Sequence, residues 1–434
     1  MMKRHIVALA FSFLFATSAL SAQTFEEYMV MMDSLSMEPP QIQTDFHRKY
    51  KVKNLDYGMT IGIERTPGGR IWNCFVAGGD NEDAYFVLNW SDDNGKTWTD
   101  SKYVIDPHDK SLPFARRTIV GQLWTDPLGR LWLFYDQSVT YYYGSSTNWY
   151  SICENPDDEN PVWSEPKFLG IGCTLNKPTV MSTGEWVLPV SIWDRNTMAY
   201  TVLKDVWTDE EFRASKAELD PVRGAHVYVS TDQGKSWTDR GMVRFPHPTF
   251  DEHIIIELGD GRWWMTGRVG IGTRNSGIIQ SFSSDKGYTW SEPEIYQPHI
   301  SSRHFITRLA SGNLVMVRHG RFDECTKTRT NLTAFISDDD GKTWKGGLLL
   351  DDTYDISYPT GFQAPDGYIY VSYDLQRTRR GEIYLVKMTE EDILAGKIVS
   401  PEGFLKHLIY KPGKVEKSKA NIAYRKANKK NKVK

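Results

Sequence analysis

The sequence predicts an all-β fold, a six-bladed β-propeller with short helical additions, and two independent repeats carry that expectation. The octad Ser-x-Asp-x-Gly-x-(Ser/Thr)-Trp recurs without departure at Ser91–Trp98, Ser230–Trp237, Ser283–Trp290 and Ser337–Trp344. A Gly turn that leads into an alternating apolar strand recurs around Gly69, Gly129, Gly184, Gly261, Gly312 and Gly367. These six turns lie 60, 55, 77, 51 and 55 residues apart, the period that four-stranded propeller blades leave in a sequence.

The chain opens with Lys3 and Arg4, an apolar run from Ile6 to Phe15 and small residues up to Ala22. That layout reads as a secretory signal peptide over 1–22, so a periplasmic or extracellular protein is expected. No later stretch approaches the roughly 20 apolar residues of a membrane helix. Residues 23–56 form a lead-in, in which Thr24 and Glu27 make a capping box ahead of Phe25, Tyr28, Met29 and Met32 at helical spacing. A short helix packed on the propeller is expected there.

Residues 57–410 hold the six blades as one cooperative unit, because a ring leaves no half that buries its own edges. In each octad the Asp carboxylate can accept backbone N–H bonds, the Gly takes the left-handed conformation and the Trp packs beneath the hairpin. The Asp residues therefore build turns, and the distal Glu of a calcium loop is missing. The blade without a full octad keeps a remnant, since Trp163-Ser-Glu-Pro repeats Trp290-Ser-Glu-Pro. The long interval of 77 residues has its own cause: Thr208 and Glu211 form a second capping box, which predicts a helical insertion near 208–219. Most of the fifteen Trp residues are expected in blade-to-blade packing rather than on sugar platforms.

Residues 411–434 hold ten Lys or Arg against Glu416 alone and read as a basic, solvated tail. With that tail and Lys3 and Arg4 set aside, residues 23–410 carry a net charge of −14. An acidic body does not attract nucleic acid or anionic membrane at long range, and a monomer is expected. Cys74, Cys153, Cys173 and Cys325 fit no metal-ligand spacing and read as buried thiols, with a Cys153–Cys173 bridge open after export. No motif calls for a metal or an organic cofactor.

The octads resemble the Asp boxes of sialidases (neuraminidases), and the resemblance spans nearly all of residues 55–390. Three further segments are similar to the active-site strands of that superfamily. Asp251–Gly261 resembles the strand whose glutamate polarises the nucleophile, which implies that role for Glu252 and a carboxylate-binding role for Arg268, sixteen residues on. Arg329, ahead of the fourth box, resembles another arginine of the family's carboxylate-clamping triad. Tyr358 precedes the Pro365-Asp-Gly turn by seven residues, as the family's tyrosine nucleophile does.

The family's Arg-Ile-Pro signature in the first blade is replaced here by Met59-Thr60-Ile61, so one member of the triad is absent at its expected place. Bidentate Arg contacts give much of the grip on a carboxylate, and Arg65, Arg116, Arg117, Arg303 and Arg377 are candidate substitutes. Asp80 and Asp83, with Glu82 third, are eligible proton donors, because the resemblance implies an acid in this loop. Lys177, Trp193, His304 and His319 are further candidates for substrate contact.

The resemblance implies an exo-glycoside hydrolase acting on a terminal, acidic or neutral sugar through a tyrosine nucleophile assisted by Glu252. Two other readings use the same residues: a polysaccharide lyase, in which Tyr358 or a His abstracts a proton beside a uronate carboxylate, and a glycan-binding propeller without catalysis.

Overall fold

A computed structural model describes residues 24–43, 48–195, 207–271, 274–418 and 422. The signal-peptide segment 1–22, most of the insertion ahead of Trp207 and nearly all of the basic tail beyond 418 lie outside the described residues.

Each Gly turn does the same work. The glycine takes a positive φ, between 83° and 100°, and its N–H donates to the carbonyl three residues back, at 2.8–2.9 Å in all six copies. The turn reverses the chain from a blade's first strand into its second: Met59–Arg65 into Ile71–Ala77, Gly121–Thr125 into Leu131–Val139, Thr179–Val180 into Trp186–Ile192. The last three blades repeat it, Pro248–Glu257 into Trp263–Ile271, Phe305–Arg308 into Leu314–His319 and Ile356–Gln363 into Ile369–Leu375. Third and fourth strands complete six antiparallel sheets consecutive along the chain, the predicted six-bladed propeller.

The octads sit between third and fourth strands in blades 1, 3, 4 and 5. In the first, Ser91 Oγ accepts from the Gly95 N–H at 2.9 Å, while Asp93 takes the Thr97 N–H and hydroxyl at 2.8 and 2.6 Å. Blade 2 keeps the closing bond of the remnant, Ser164 N–H to the Ile152 carbonyl. Blade 6 has a capped helix instead, Glu390–Ala395 behind Thr389, a capping box that sequence reading passed over.

Among the described residues no strand is shared across the ring closure. Blades 6 and 1 meet through side chains, with Phe362, Tyr370, Ile383 and Leu385 packed against Ile63, Phe75 and Val87. The Tyr410 hydroxyl donates to the Tyr57 carbonyl at 2.7 Å, and the Thr60 N–H to Asp374 at 3.2 Å.

Both predicted capping boxes form. Thr24 caps helix Phe25–Met37, whose Met32 and Leu35 pack on Val139, Tyr143 and Trp207. Thr208 and Glu211 cap helix Asp209–Ala214, inserted between the second and third strands of blade 3 and followed by a 3-10 turn, Ala217–Val222. The four cysteines are free thiols, so the Cys153–Cys173 bridge is not formed: Cys173 donates to the Ser191 carbonyl, and Cys153 faces Asn155. Among the described residues no helix is long and apolar enough to cross a membrane.

Candidate active site

Two backbone irregularities create the site. The first strand of blade 4 slips register between Asp251 and Ile254, and that of blade 6 between Ser357 and Thr360. At these bulges Glu252 and Tyr358 sit in the left-handed region, with φ of 46° and 54°. Such conformations are costly for residues other than glycine and bulges re-aim side chains, which is why strain of this kind gathers at functional sites. Here both bulges bring their side chains together near the mouth of the propeller axis.

That mouth encloses a cavity of about 110 Å³ to which every blade contributes. One arc is polar: Asp80 of blade 1, Arg268 of blade 4, Arg329 of blade 5, and Tyr358 and Arg377 of blade 6. The facing arc is apolar, with Met59, Leu175, Trp193 and Phe250 among its members.

Glu252 lies just behind this lining and is fully buried. Burial alone would push its carboxyl up, but Arg268, Arg303 and Arg329, with the nearby Tyr358 hydroxyl, outweigh it and hold the group below its ordinary value. Arg268 Nη1 donates to Oε1 at 3.1 Å. Oε2 is left buried without a partner; the Tyr358 hydroxyl stands beside it, outside good hydrogen-bond geometry. The Tyr358 phenol is pushed up to about 12 by burial and by Glu252, against the pull of Arg377, Arg268 and Arg329.

The arginines are held from behind, leaving their charge toward the cavity. Arg329 donates to Ser357 Oγ at 2.8 Å and to the Ser301 carbonyl at 3.0 Å. Its pKa drops to about 10 through burial and the neighbouring charges of Arg268 and Arg377. Arg377 is anchored through Nε to Asp374 at 2.7 Å, while its Nη2 is buried with no partner. Three arginines and one acid, Asp80, line the cavity, an excess of positive charge that suits an anionic group.

The predicted residues divide accordingly. Tyr358, Glu252, Arg268 and Arg329 come together, and Trp193 joins the wall. Of the loop acids, Asp80 lines the cavity, accepts from the Tyr141 hydroxyl at 3.1 Å and lies 4.0 Å from Arg377. Asp83 does not: it faces Asp56 and His108, because the loop turns its backbone N–H onto Asn81. Glu82 gives its carbonyl to His108.

Lys177 is also corrected. It lies two residues beyond Leu175, so its ammonium reaches the opposite end of the axis from the arginine-lined cavity and pairs with Glu64 at 2.7 Å. Arg117 is fully buried in an ion pair with Asp136 and supports the Tyr141 carbonyl at 2.7 Å. Arg303 is buried beneath the site, bonded to Asn176 at 3.1 Å and 5.7 Å from the Tyr358 ring centroid, an electrostatic neighbour rather than a wall. His319 is buried against Ser302 and the Thr330 carbonyl, and His304 against Thr266. Arg65 and Arg116 hold Asn94 and the end of the N-terminal helix.

Arg377 is therefore the candidate substitute that reaches the cavity, beside Met59. Phe250 and Tyr141 were not anticipated; Phe250, two residues before Glu252, carries Arg268 over its ring at 5.0 Å.

A ring of six blades with Asp-box turns and an arginine-lined axial mouth defines a sialidase-like propeller. The chain belongs to the family described as BNR repeat-like domain, whose model matches residues 71–371. Comparison with curated protein sequences finds no match. Among solved structures the chain is similar to a Hadza microbial sialidase, with a TM-score of 0.56 at 16% identity over 73% of this chain and 63% of that one. It is similar also to the intramolecular trans-sialidase of Ruminococcus gnavus in complex with oseltamivir carboxylate, with a TM-score of 0.55 at 13% identity over 81% and 98%. A protein of unknown function from Dyadobacter fermentans gives 0.54 at 15% identity over 78% and 95%. At these identities the likeness is one of fold.

Proposed function

We propose that the protein is an exported exo-glycoside hydrolase that releases a terminal sugar bearing a carboxylate. The observation that carries this reading is the convergence of Arg268, Arg329 and Arg377 on the cavity that Tyr358 enters. The cavity, of about 110 Å³, takes the carboxylate between the three guanidiniums, and the sugar ring rests at its rim against the apolar arc.

In the resting site the proton belongs to Tyr358, because its phenol stands near 12 while Glu252 is held low. Proton loss therefore accompanies attack. As the phenolic oxygen bonds to the anomeric carbon its proton passes to Glu252, and Asp80 protonates the departing glycosidic oxygen. Asp80 then takes a proton from water, whose oxygen displaces Tyr358, and Glu252 returns its proton to the phenolate. The arginines stabilise the phenolate character that grows in each transition state.

The test is an assay of the purified protein against chromogenic sialosides, uronides and deoxy-sugar glycosides. Release from a carboxylated glycoside supports the reading. An unsaturated, ultraviolet-absorbing product would assign a lyase instead, and binding of glycans with no turnover of any would assign a receptor.

A further inference from the structure

A second cavity, of about 320 Å³, adjoins the first on the same face over blades 3 and 4. The partition is one side chain thick. Trp193 and Phe250 face the arginine-lined cavity, their rings 5.3 Å apart, whereas Ile192, Asp194 and Asp251 face the second. Successive residues of an extended chain point to opposite sides. At the bulge the consecutive left-handed residues Asp251 and Glu252 likewise divide their carboxylates, Asp251 to the second cavity and Glu252 to the first.

Asp251 is the unusual member. It is 2% exposed, and among the described residues its carboxyl has no hydrogen-bond partner. The carboxyl therefore opens onto the cavity with no protein group bonded to it, and burial with the nearby Glu252 and Asp194 outweighs His226 to raise it to about 7. The other charges around it balance and are already engaged. Asp220 takes Arg195 at 2.5 Å and Arg223 at 2.9 Å, and Arg223 also serves the Gly144 carbonyl. With Arg244 opposite Asp194 and Asp251, the lining carries as many acids as arginines.

We propose that this second cavity is a subsite for a neutral sugar unit adjoining the one that is cleaved, with Asp251 hydrogen-bonded to its hydroxyls. A balanced lining gives no preference for an ion, while a carboxyl without a partner is satisfied by a group that both donates and accepts, as paired hydroxyls do. Phe245 supplies an apolar face for the ring. The volume is at the lower end of small-molecule sites, about 300 Å³, enough for one unit rather than a chain. The proposal rests on the glycan-processing reading above.

Equilibrium binding to the full chain tests it, with a panel of neutral methyl glycosides as one probe set and N-acetylneuraminate and glucuronate as the other. Neutral glycosides are expected to bind at millimolar concentration, and Asp251→Gly, which suits the positive φ, to weaken them about tenfold or more. Asp251→Asn, which keeps a hydrogen-bonding group, should hold them within about threefold of the native protein. Arg329→Ala should leave them unchanged while weakening the carboxylated sugars. Failure of the glycosidase reading would appear as absent turnover and absent carboxylated-sugar binding, with the neutral isotherms untouched. Absence of neutral-sugar binding, equal binding by Asp251→Gly, or competition between the two probe sets on the native protein would overturn the subsite.

Discussion

The guanidinium of Arg377 lies 4.0 Å from the centroid of the Tyr358 ring, so the candidate nucleophile carries a cation on its aromatic face. The same cation borders the cavity beside Met59 and presents an unpartnered Nη2. It thus serves twice, once as a charge for an incoming carboxylate and once as an opposing charge for a developing phenolate. Arg377→Ala is expected to lower kcat/KM on a carboxylated glycoside about 100-fold, and Arg377→Lys by less, since Lys keeps the charge but loses the planar fork. Neutral glycosides should lose less than carboxylated ones; steady-state kinetics on matched pairs measures the difference.

Tyr358 and Glu252 should separate in a way that a structural role alone would not produce. Tyr358→Phe removes the nucleophilic oxygen and no hydrogen bond of good geometry, so turnover falls about 100-fold or more while the thermal midpoint holds. Glu252→Gln costs turnover too, but it also strips Arg268 and Arg303 of their buried counter-charge. Breaking such a pair costs about 3 kcal/mol, and a lowered midpoint is expected. Kinetics with parallel thermal melts decides; an unstable Tyr358→Phe with proportionate loss of activity would return Tyr358 to the core.

Much of this architecture was legible because the information is local. The Ser, Asp, Gly and Ser or Thr of each octad bond to one another within five residues, and each Gly turn closes over three. The cluster of Glu252, Arg268, Arg329 and Tyr358 was legible in part, through the resemblance of three segments to the active-site strands of sialidases. What escaped depends on contacts between distant segments. Arg377 follows the second strand of blade 6, and nothing near it in the sequence announces that Tyr358 and Asp374 will aim it at the axis. Lys177 was a candidate for substrate contact by its place near Leu175, but the sequence does not give depth along the axis, and two residues carried it to the other end of the channel, where it meets Glu64.

An octad glycine and a hairpin-turn glycine offer a test of packing against conformation. A Cβ on Gly234 would stand 2.6 Å from Trp132 of the neighbouring blade, whereas one on Gly184 would meet nothing within 4 Å; both glycines have φ of 83°. Gly184→Ala therefore pays only for the left-handed backbone, about 1–2 kcal/mol. Gly234→Ala adds displacement of a buried Trp, for a further 1–3 kcal/mol or so. Urea midpoints of the two variants should differ in that order.

Stability should fall on the acid side of neutrality well before carboxylates titrate. His253, His299, His304 and His319 are buried and uncharged: burial lowers His253 to about 4, His304 and His319 to about 3, and His299 well below its ordinary value. The geometry agrees for His299, whose Nε2 accepts the His319 backbone N–H at 3.1 Å and so cannot carry a proton. Below about 6.5 the unfolded chain protonates these rings and the folded protein does not, so stability decreases with falling pH by about 1.4 kcal/mol per unit for each. Asp251 runs the other way, since a carboxyl raised to about 7 favours the folded state increasingly as pH falls from about 7 toward 4. His108 and His226, raised by Asp106 and Asp239, add their stability below about 6.5 and lose it as pH rises through their folded values. By pH 6 to 5 they are protonated in both states for the most part, so the net slope is set by the four histidines against Asp251 and the three other carboxyls that burial raises, Asp56, Glu64 and Asp374. Denaturant midpoints at pH 6.0, 5.5 and 5.0, roughly spanning that window, should fall steeply, and Asp251→Asn should fall more steeply still because one opposing group is gone. A midpoint flat across that range would mean that these rings are charged in the folded protein.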